Sequence, residues 1–85
     1  MTIRALALGI LLAASQAPTP DRIRECSAWC VSSYTAEQWS ESLSCIDTCQ
    51  GSAGNHPIAL CAKGCVSKNV GKKPEIAACI DRCGR

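Results

Sequence analysis

The chain has 85 residues, eight of them cysteines, and its nine basic and seven acidic residues leave a formal net charge of +2. A chain this short buries only a small core, so we expect disulfide bonds to supply much of its stability. Enzymatic activity is not expected, because the sequence has no glycine-rich phosphate loop and its single histidine, His56, is predicted to be a linker residue. Nucleic-acid binding is not expected either, since the basic residues are not interleaved with aromatic ones.

The N-terminal segment predicts export. Arg4 precedes an apolar run over residues 5–14, whose length suits the core of a signal peptide and is too short to span a bilayer. An organelle presequence is disfavoured because the segment has a single arginine and no amphipathic spacing. We expect cleavage after Ser15, which starts the mature chain at Gln16, with cleavage after Ala17 as the alternative. The protein is therefore predicted to be secreted (extracellular), or periplasmic if its source is bacterial.

Start and stop signals divide the remainder into four short helices. Each predicted start has a capping residue or a proline suited to the first turn, and most of the predicted ends have a glycine. The predicted helices are Pro20 to about Tyr34, Thr35 to Gly51, Asn55 or Pro57 to Gly71, and Pro74 to Gly84. The apolar residues expected to join the cysteines in the core are Ile23, Trp39, Leu43, Ile46, Ile58, Val66, Ile76 and Ile80.

All eight cysteines fall in four Cys-x-x-x-Cys motifs, which begin at residues 26, 45, 61 and 79. Residues four apart lie on one face of a helix, so each motif presents two sulfurs in the same direction. Their Cβ atoms are about 5–6 Å apart, beyond the roughly 3.5–4.5 Å of a disulfide, so each motif should bond to another helix. Zinc binding is disfavoured, because zinc sites usually have shorter Cys-x-x-Cys spacing and often use histidine. No metal or other cofactor is expected.

The positions of the motifs select one pairing. Two antiparallel helices oppose residues that lie equally far from a common midpoint, and a nested pairing satisfies this rule in each half of the chain. A crossed pairing would require opposite shifts of the same two helices, each by about one turn of roughly 5.4 Å. The predicted bonds are Cys26 to Cys49, Cys30 to Cys45, Cys61 to Cys83 and Cys65 to Cys79.

The two halves of the chain repeat one unit. Residues 23–32 align with 58–67 at an offset of 35, and residues 41–49 align with 75–83 at an offset of 34. The predicted fold is all-α, with two tandem disulfide-stapled antiparallel helical hairpins (four short helices) after a cleaved signal peptide. We assign residues 1–15 to the signal peptide, 16–52 to hairpin 1 and 53–85 to hairpin 2.

Paired Cys-x-x-x-Cys motifs behind a signal peptide resemble the α-hairpinin family of secreted helical hairpins, and they are similar to two-helix scorpion toxins. The resemblance covers about residues 20–85 as two units and rests on the cysteine spacing. It implies a helical-hairpin fold, and it implies protease inhibition, antimicrobial action or potassium-channel block as activities. Small translocase chaperones of the mitochondrial intermembrane space look similar in their twin motifs, but the leader and the duplication count against them.

Charge separates the two hairpins. Hairpin 1 has two basic and five acidic residues, for a net −3, whereas hairpin 2 has six basic and two acidic residues, for a net +4. We therefore predict a secreted binding peptide of toxin or host-defence type, whose partner is an extracellular protein target or an anionic membrane surface. An ordinary solvated surface with charges of both signs is the alternative interpretation. The residues predicted to form the basic binding surface are Lys63, Lys68, Lys72 and Lys73.

Two other functions stay open. A serine protease inhibitor would use the turns, where the predicted register places Lys72 at the apex of hairpin 2 and Tyr34 near the apex of hairpin 1. A structural or assembly protein of an oxidising compartment would need neither residue. Trp29 is a candidate binding residue too, although we expect it to pack between the hairpins rather than to be an exposed anchor. All three aromatic residues belong to hairpin 1, so no pairing of a lysine with an aromatic residue is predicted within either hairpin.

Overall fold

The computed structural model describes residues 18–51 and 54–85, and all the regular structure in these ranges is helical. The all-α prediction is confirmed, whereas the predicted signal peptide, 1–15, lies outside the described residues. A 3-10 turn, Ala36–Gln38, precedes the second helix. The helices are α1, Pro20–Ser33; α2, Trp39–Cys49; α3, Pro57–Lys68; and α4, Lys73–Asp81.

Local sequence signals set the ends of the helices in hairpin 1. At the start of α1, the Thr19 hydroxyl accepts a hydrogen bond from the Arg22 backbone N–H at 3.2 Å. Beyond α1, Tyr34 and Thr35 have extended backbones, and the Gln38 side chain accepts a hydrogen bond from the Thr35 backbone N–H at 3.0 Å. The predicted capping pattern is therefore present, but it opens the 3-10 turn, and α2 begins after that turn.

His56 caps the start of α3. Its Nδ1 accepts a hydrogen bond from the Ile58 backbone N–H at 3.1 Å, and Pro57 takes the first helical position, where a missing N–H does no harm. The buried side chain of Gln50 accepts a hydrogen bond from the His56 backbone N–H at 2.7 Å. The linker residue expected from the sequence therefore fixes the direction in which hairpin 2 leaves hairpin 1.

All four predicted disulfide bonds are present. Each bond stays within one hairpin, and the Cα atoms across the bridges are 5.7 to 5.8 Å apart. Three of the bonds link two helices, and the bond from Cys61 to Cys83 links α3 to the residues that follow α4. Neighbouring bridges also touch, since the Sγ atoms of Cys30 and Cys49 are 3.7 Å apart and those of Cys65 and Cys83 are 3.8 Å apart. The nested pairing is confirmed, and both hairpins are antiparallel.

The two hairpins pack against each other around one core. Helix α1 contacts α3 and α4, and α2 contacts α3. The buried residues follow the repeat, so that Ile23 of hairpin 1 is matched by Ile58 of hairpin 2, and Ile46 by Ile80. Ser27, in the middle of α1, is fully buried like its counterpart in α3, and small side chains at such positions let helices approach closely. The internal repeat therefore gives the core an approximate twofold symmetry.

Neither tryptophan belongs to the core. Trp29 is 64% exposed and Trp39 is 40% exposed, so the prediction that Trp29 packs between the hairpins is wrong, as is the core position predicted for Trp39. Residues two apart in a helix point about 200° apart, and because α1 buries Ser27 and Val31, it must turn Trp29 outward. Leu43 is partly buried. The remaining predicted core residues are buried, namely Ile23, Ile46, Ile58, Val66, Ile76 and Ile80.

Gly84 is restricted to glycine by both its backbone and its neighbours. Its φ is +78°, and a Cβ atom there would overlap the Cδ1 atom of Ile58 and lie 3.2 Å from Nη1 of Arg24. We expect Gly84→Ala to lower the free energy of unfolding by about 1–3 kcal/mol, measured by guanidinium denaturation. Gly64→Ala is the control, since a Cβ atom at Gly64 in α3 would have no neighbour within 4 Å. That change should raise stability by about 0.5–1 kcal/mol. Equal stability of the two variants would contradict this account.

Candidate functional site: the tip shared by the two hairpins

Two of the four lysines predicted to form the binding surface bind the other hairpin. The Nζ atom of Lys63 lies 2.7 Å from an Asp47 carboxylate oxygen, in a partly exposed ion pair. The Nζ atom of Lys73 donates a hydrogen bond to the backbone carbonyl of Tyr34, also at 2.7 Å. Because the partners belong to hairpin 1, the structure gives Lys63 and Lys73 a role in docking the hairpins.

Arg24 makes a third link between the hairpins. Its guanidinium donates a hydrogen bond to the Cys83 carbonyl at 2.6 Å and also pairs with Asp21 on its own helix. Arg24 follows the start of α1, and Cys83 follows the end of α4, so this contact joins the open ends of the hairpins. The contact of Lys73 with Tyr34 joins their turns. We call the end that contains both turns, residues 34–39 and 68–73, the tip.

The turn of hairpin 2 is held in one conformation by its own hydrogen bonds. The Asn69 side chain donates to the Cys65 carbonyl at 2.9 Å, and the Lys72 backbone N–H donates to the Asn69 carbonyl at 2.9 Å. Gly71 allows the reversal, with φ at +81°. Together with the nearby bridge from Cys65 to Cys79, these bonds order the loop before any partner arrives.

Lys68 and Lys72 flank this ordered loop, and both are exposed. No hydrogen bond or ion pair of either ammonium group occurs within the described part of the chain. Two exposed acids, Glu37 in the 3-10 turn and Glu75 in the first turn of α4, belong to the same region. The tip therefore presents a local cationic loop with nearby carboxylates rather than a uniformly positive face.

Exposed apolar side chains from both hairpins lie at the tip. Val70, within the hairpin 2 turn, is 47% exposed, and Trp39, at the start of α2, is 40% exposed. The two turns lie side by side, because residues of both line one narrow crevice, among them Trp39, Gly71 and Lys73. The tip thus combines exposed apolar side chains with two exposed lysines, from turns that are distant in the sequence.

Sequence reasoning missed this combination for a physical reason. The aromatic residues belong to hairpin 1 and the lysines to hairpin 2, and only the docking of the hairpins places Trp39 beside the turn that carries Lys72. Docking depends on contacts between residues that are far apart in the sequence, and the spacing of the cysteines within each hairpin does not predict those contacts. Of the other predicted binding residues, Tyr34 is half-buried at the tip, whereas Trp29 lies on the exposed face of α1, outside both turns.

In each hairpin, three cysteine sulfurs lie close enough together to hold a metal ion if they were free. The sulfurs of Cys26, Cys30 and Cys49 all lie within 4.8 Å of one another, and so do those of the three equivalent cysteines in hairpin 2. All of these sulfurs are in disulfide bonds. A metal ion is coordinated by thiolates, so these bonded sulfurs do not form a metal site.

Comparison of the chain with protein-family models gave no match, and neither did comparison with curated proteins or with solved structures. The helices stapled by four disulfides are consistent with the helical-hairpin scaffold that the sequence resembles. What the scaffold does is therefore argued below from its own geometry.

Proposed function

We propose that this protein is a secreted binding module of toxin or host-defence type, which contacts an acidic partner through the cationic turn of hairpin 2. The observation that carries the proposal is the exposure of Lys68 and Lys72 on either side of an ordered loop. Lys63 and Lys73 belong to the hairpin interface instead, so the proposed contact is smaller than the one predicted from the sequence. Four disulfides suit an oxidising compartment, as secretion requires.

The rigidity of the turn supports a role in binding. A flexible lysine loop loses conformational freedom when it binds, which weakens the complex, whereas a loop held by two hydrogen bonds and a nearby disulfide loses less. Exposed lysines also increase the rate at which an acidic partner associates, and this effect falls as salt rises.

The proposal is tested by changing the same number of charges in two places. Lys68→Gln with Lys72→Gln removes two charges at the tip, and Arg22→Gln with Arg82→Gln removes two exposed charges elsewhere. Immobilised heparin serves as a polyanionic probe at low ionic strength. We expect the tip variant to elute at lower salt than the control variant, although their net charges are equal, because the proposed contact uses Lys68 and Lys72, and Arg22 and Arg82 lie at the opposite end of the hairpins.

Elution of the two variants at the same salt would refute a localised basic site. Circular dichroism and intact mass should show that both variants are folded and fully oxidised. Surface substitutions of this kind usually change stability by only about ±0.5 kcal/mol.

Serine protease inhibition is the second candidate, since Lys72 is exposed at the apex of its hairpin, as that function requires. Serine proteases bind inhibitory loops as extended segments, however, and here Lys73 already begins α4 while the Lys72 N–H is bonded within the turn. A trypsin assay separates the candidates, because an inhibitor should lose its activity with Lys72→Ala alone. If neither heparin discrimination nor trypsin inhibition is observed, a structural or assembly role becomes the leading interpretation.

A further inference from the structure

We propose that the acidic partner of the tip is the surface of an anionic lipid bilayer, which Trp39 and Val70 enter while Lys68 and Lys72 contact phosphate groups. This inference rests on the proposed function and deepens it, because it adds hairpin 1 to the contact and names the chemistry of the partner. It predicts shallow, reversible binding. Among the described helices, none combines the length and hydropathy that a membrane span requires.

The side chains at the tip have the chemistry of the membrane interface. Tryptophan favours the headgroup level, because its ring is largely apolar and its N–H remains hydrated. Lysine can keep its ammonium group among the phosphates while its aliphatic stem covers apolar surface. Trp39 and Val70 are each close to half exposed. Val70 lies between Lys68 and Lys72 in the turn of hairpin 2, and Trp39 lines a crevice with Gly71 and Lys73 of the same turn.

The shape of the tip favours a bilayer over a protein partner. The tip is the end of a helical bundle, and the crevice between its two turns is narrow, so a protein would have to supply a matching cavity. A stable protein interface buries about 800 Å² on each partner, far more than one indole and one valine offer. A fluid bilayer adapts to the shape of a small contact surface, and its phosphates complement the two lysines.

The acids at the tip limit the strength of the contact. Glu37 and Glu75 are exposed near the lysines, so they reduce the attraction to anionic headgroups. Few cations and few apolar side chains predict weak partitioning that salt reverses, in contrast to the clusters of about four to eight basic residues that bind such lipids strongly. The bound protein should therefore be released when the ionic strength is raised.

The two tryptophans allow a direct test, since Trp39 is at the tip and Trp29 is not. Trp29→Phe leaves Trp39 as the reporter, and Trp39→Phe leaves Trp29. Each oxidised single-tryptophan protein is mixed with vesicles of phosphatidylcholine and phosphatidylglycerol in equal parts. We expect the Trp39 fluorescence to shift to shorter wavelength and to be quenched by lipid-borne bromine. The Trp29 fluorescence should stay unchanged.

The charge variants complete the test, in the Trp29→Phe background. Lys68→Gln with Lys72→Gln should reduce partitioning by roughly 10- to 30-fold, from about 1 kcal/mol for each lysine near an anionic surface. Arg22→Gln with Arg82→Gln should change it much less. The parent should bind vesicles of phosphatidylcholine alone no more tightly than the tip variant binds the mixed vesicles.

Several results would overturn the inference. These are equal shifts of both tryptophans, no Trp39 shift at any lipid concentration, or equal losses from the two pairs of charge changes. The heparin experiment distinguishes this failure from failure of the proposed function. If the tip variant elutes early from heparin but the parent protein does not bind vesicles, the basic site is retained and its partner is a protein or a glycan.

Discussion

Removal of the inner bridge of hairpin 1, by Cys30→Ala with Cys45→Ala, is expected to lower the free energy of unfolding by about 2–5 kcal/mol. The unfolded chain gains conformational freedom when the bridge is absent, and Cys30, which is fully buried, leaves the core. A protein of this size is marginally stable, so this loss should leave a large unfolded fraction at 37 °C. Guanidinium denaturation followed by circular dichroism measures the change.

The outer bridge provides the matched comparison. When the inner bridge is removed, the unfolded chain keeps the loop closed by Cys26 and Cys49, whose sequence separation is 23. When the outer bridge is removed, it keeps the loop closed by Cys30 and Cys45, whose sequence separation is 15. Because closure entropy grows slowly with loop length, Cys26→Ala with Cys49→Ala should differ from the inner-bridge variant by only about 0.4 kcal/mol through chain entropy. A larger loss from the inner-bridge variant would measure the packing of Cys30. Near-parental stability of either variant would contradict the view that the bridges hold the fold.

Ile46→Ala should destabilise the protein by about 2–5 kcal/mol, because it leaves a cavity in a core that both hairpins share. Ile46 is fully buried, and its repeat counterpart Ile80 is 1% exposed, so Ile80→Ala should have a similar effect. Leu60→Ala is the control, since Leu60 is 48% exposed and its truncation should change stability by only about ±0.5 kcal/mol. Guanidinium denaturation of the three variants checks these values.

Hydrogen exchange shows whether the core is shared. If the hairpins unfold together, Ile46→Ala in α2 should speed amide exchange in α3 and α4 as well as in its own hairpin. Exchange that rises in hairpin 1 alone would show that the hairpins are independent units. In that case the ion pair of Lys63 with Asp47 and the bond from Lys73 to Tyr34 would not couple them.

The hairpins could be predicted because their determinants are local. The placement of cysteines four residues apart decides which way the sulfurs point, and the midpoint rule then selects one pairing. The capping residues Thr19 and Thr35 mark helix starts that the structure confirms within a few residues. None of these steps requires knowledge of contacts between the hairpins.

The docking could not be predicted in the same way. Whether Lys73 reaches solvent or the Tyr34 carbonyl depends on how two stapled units meet, and lysine is compatible with both environments. The same uncertainty applies to Trp39, which is apolar enough for a core but lies partly exposed at the tip. The repeat contained a usable signal: Trp29 aligns with Gly64, and a position that accepts glycine in one copy does not need a large buried side chain.

The contact of Arg24 with the Cys83 carbonyl has a topological consequence. It brings the beginning of α1 beside the end of α4, while every disulfide stays within its own hairpin. A circular permutant could therefore join Arg85 to Pro18 through a short glycine and serine segment and open the chain at 52–53. Hairpin 2 would then precede hairpin 1 with all four cysteine pairs unchanged. We therefore expect the order of the two hairpins along the polypeptide to be interchangeable, provided that the connectivity inside each hairpin and the hydrogen bond from His56 to Gln50 are preserved.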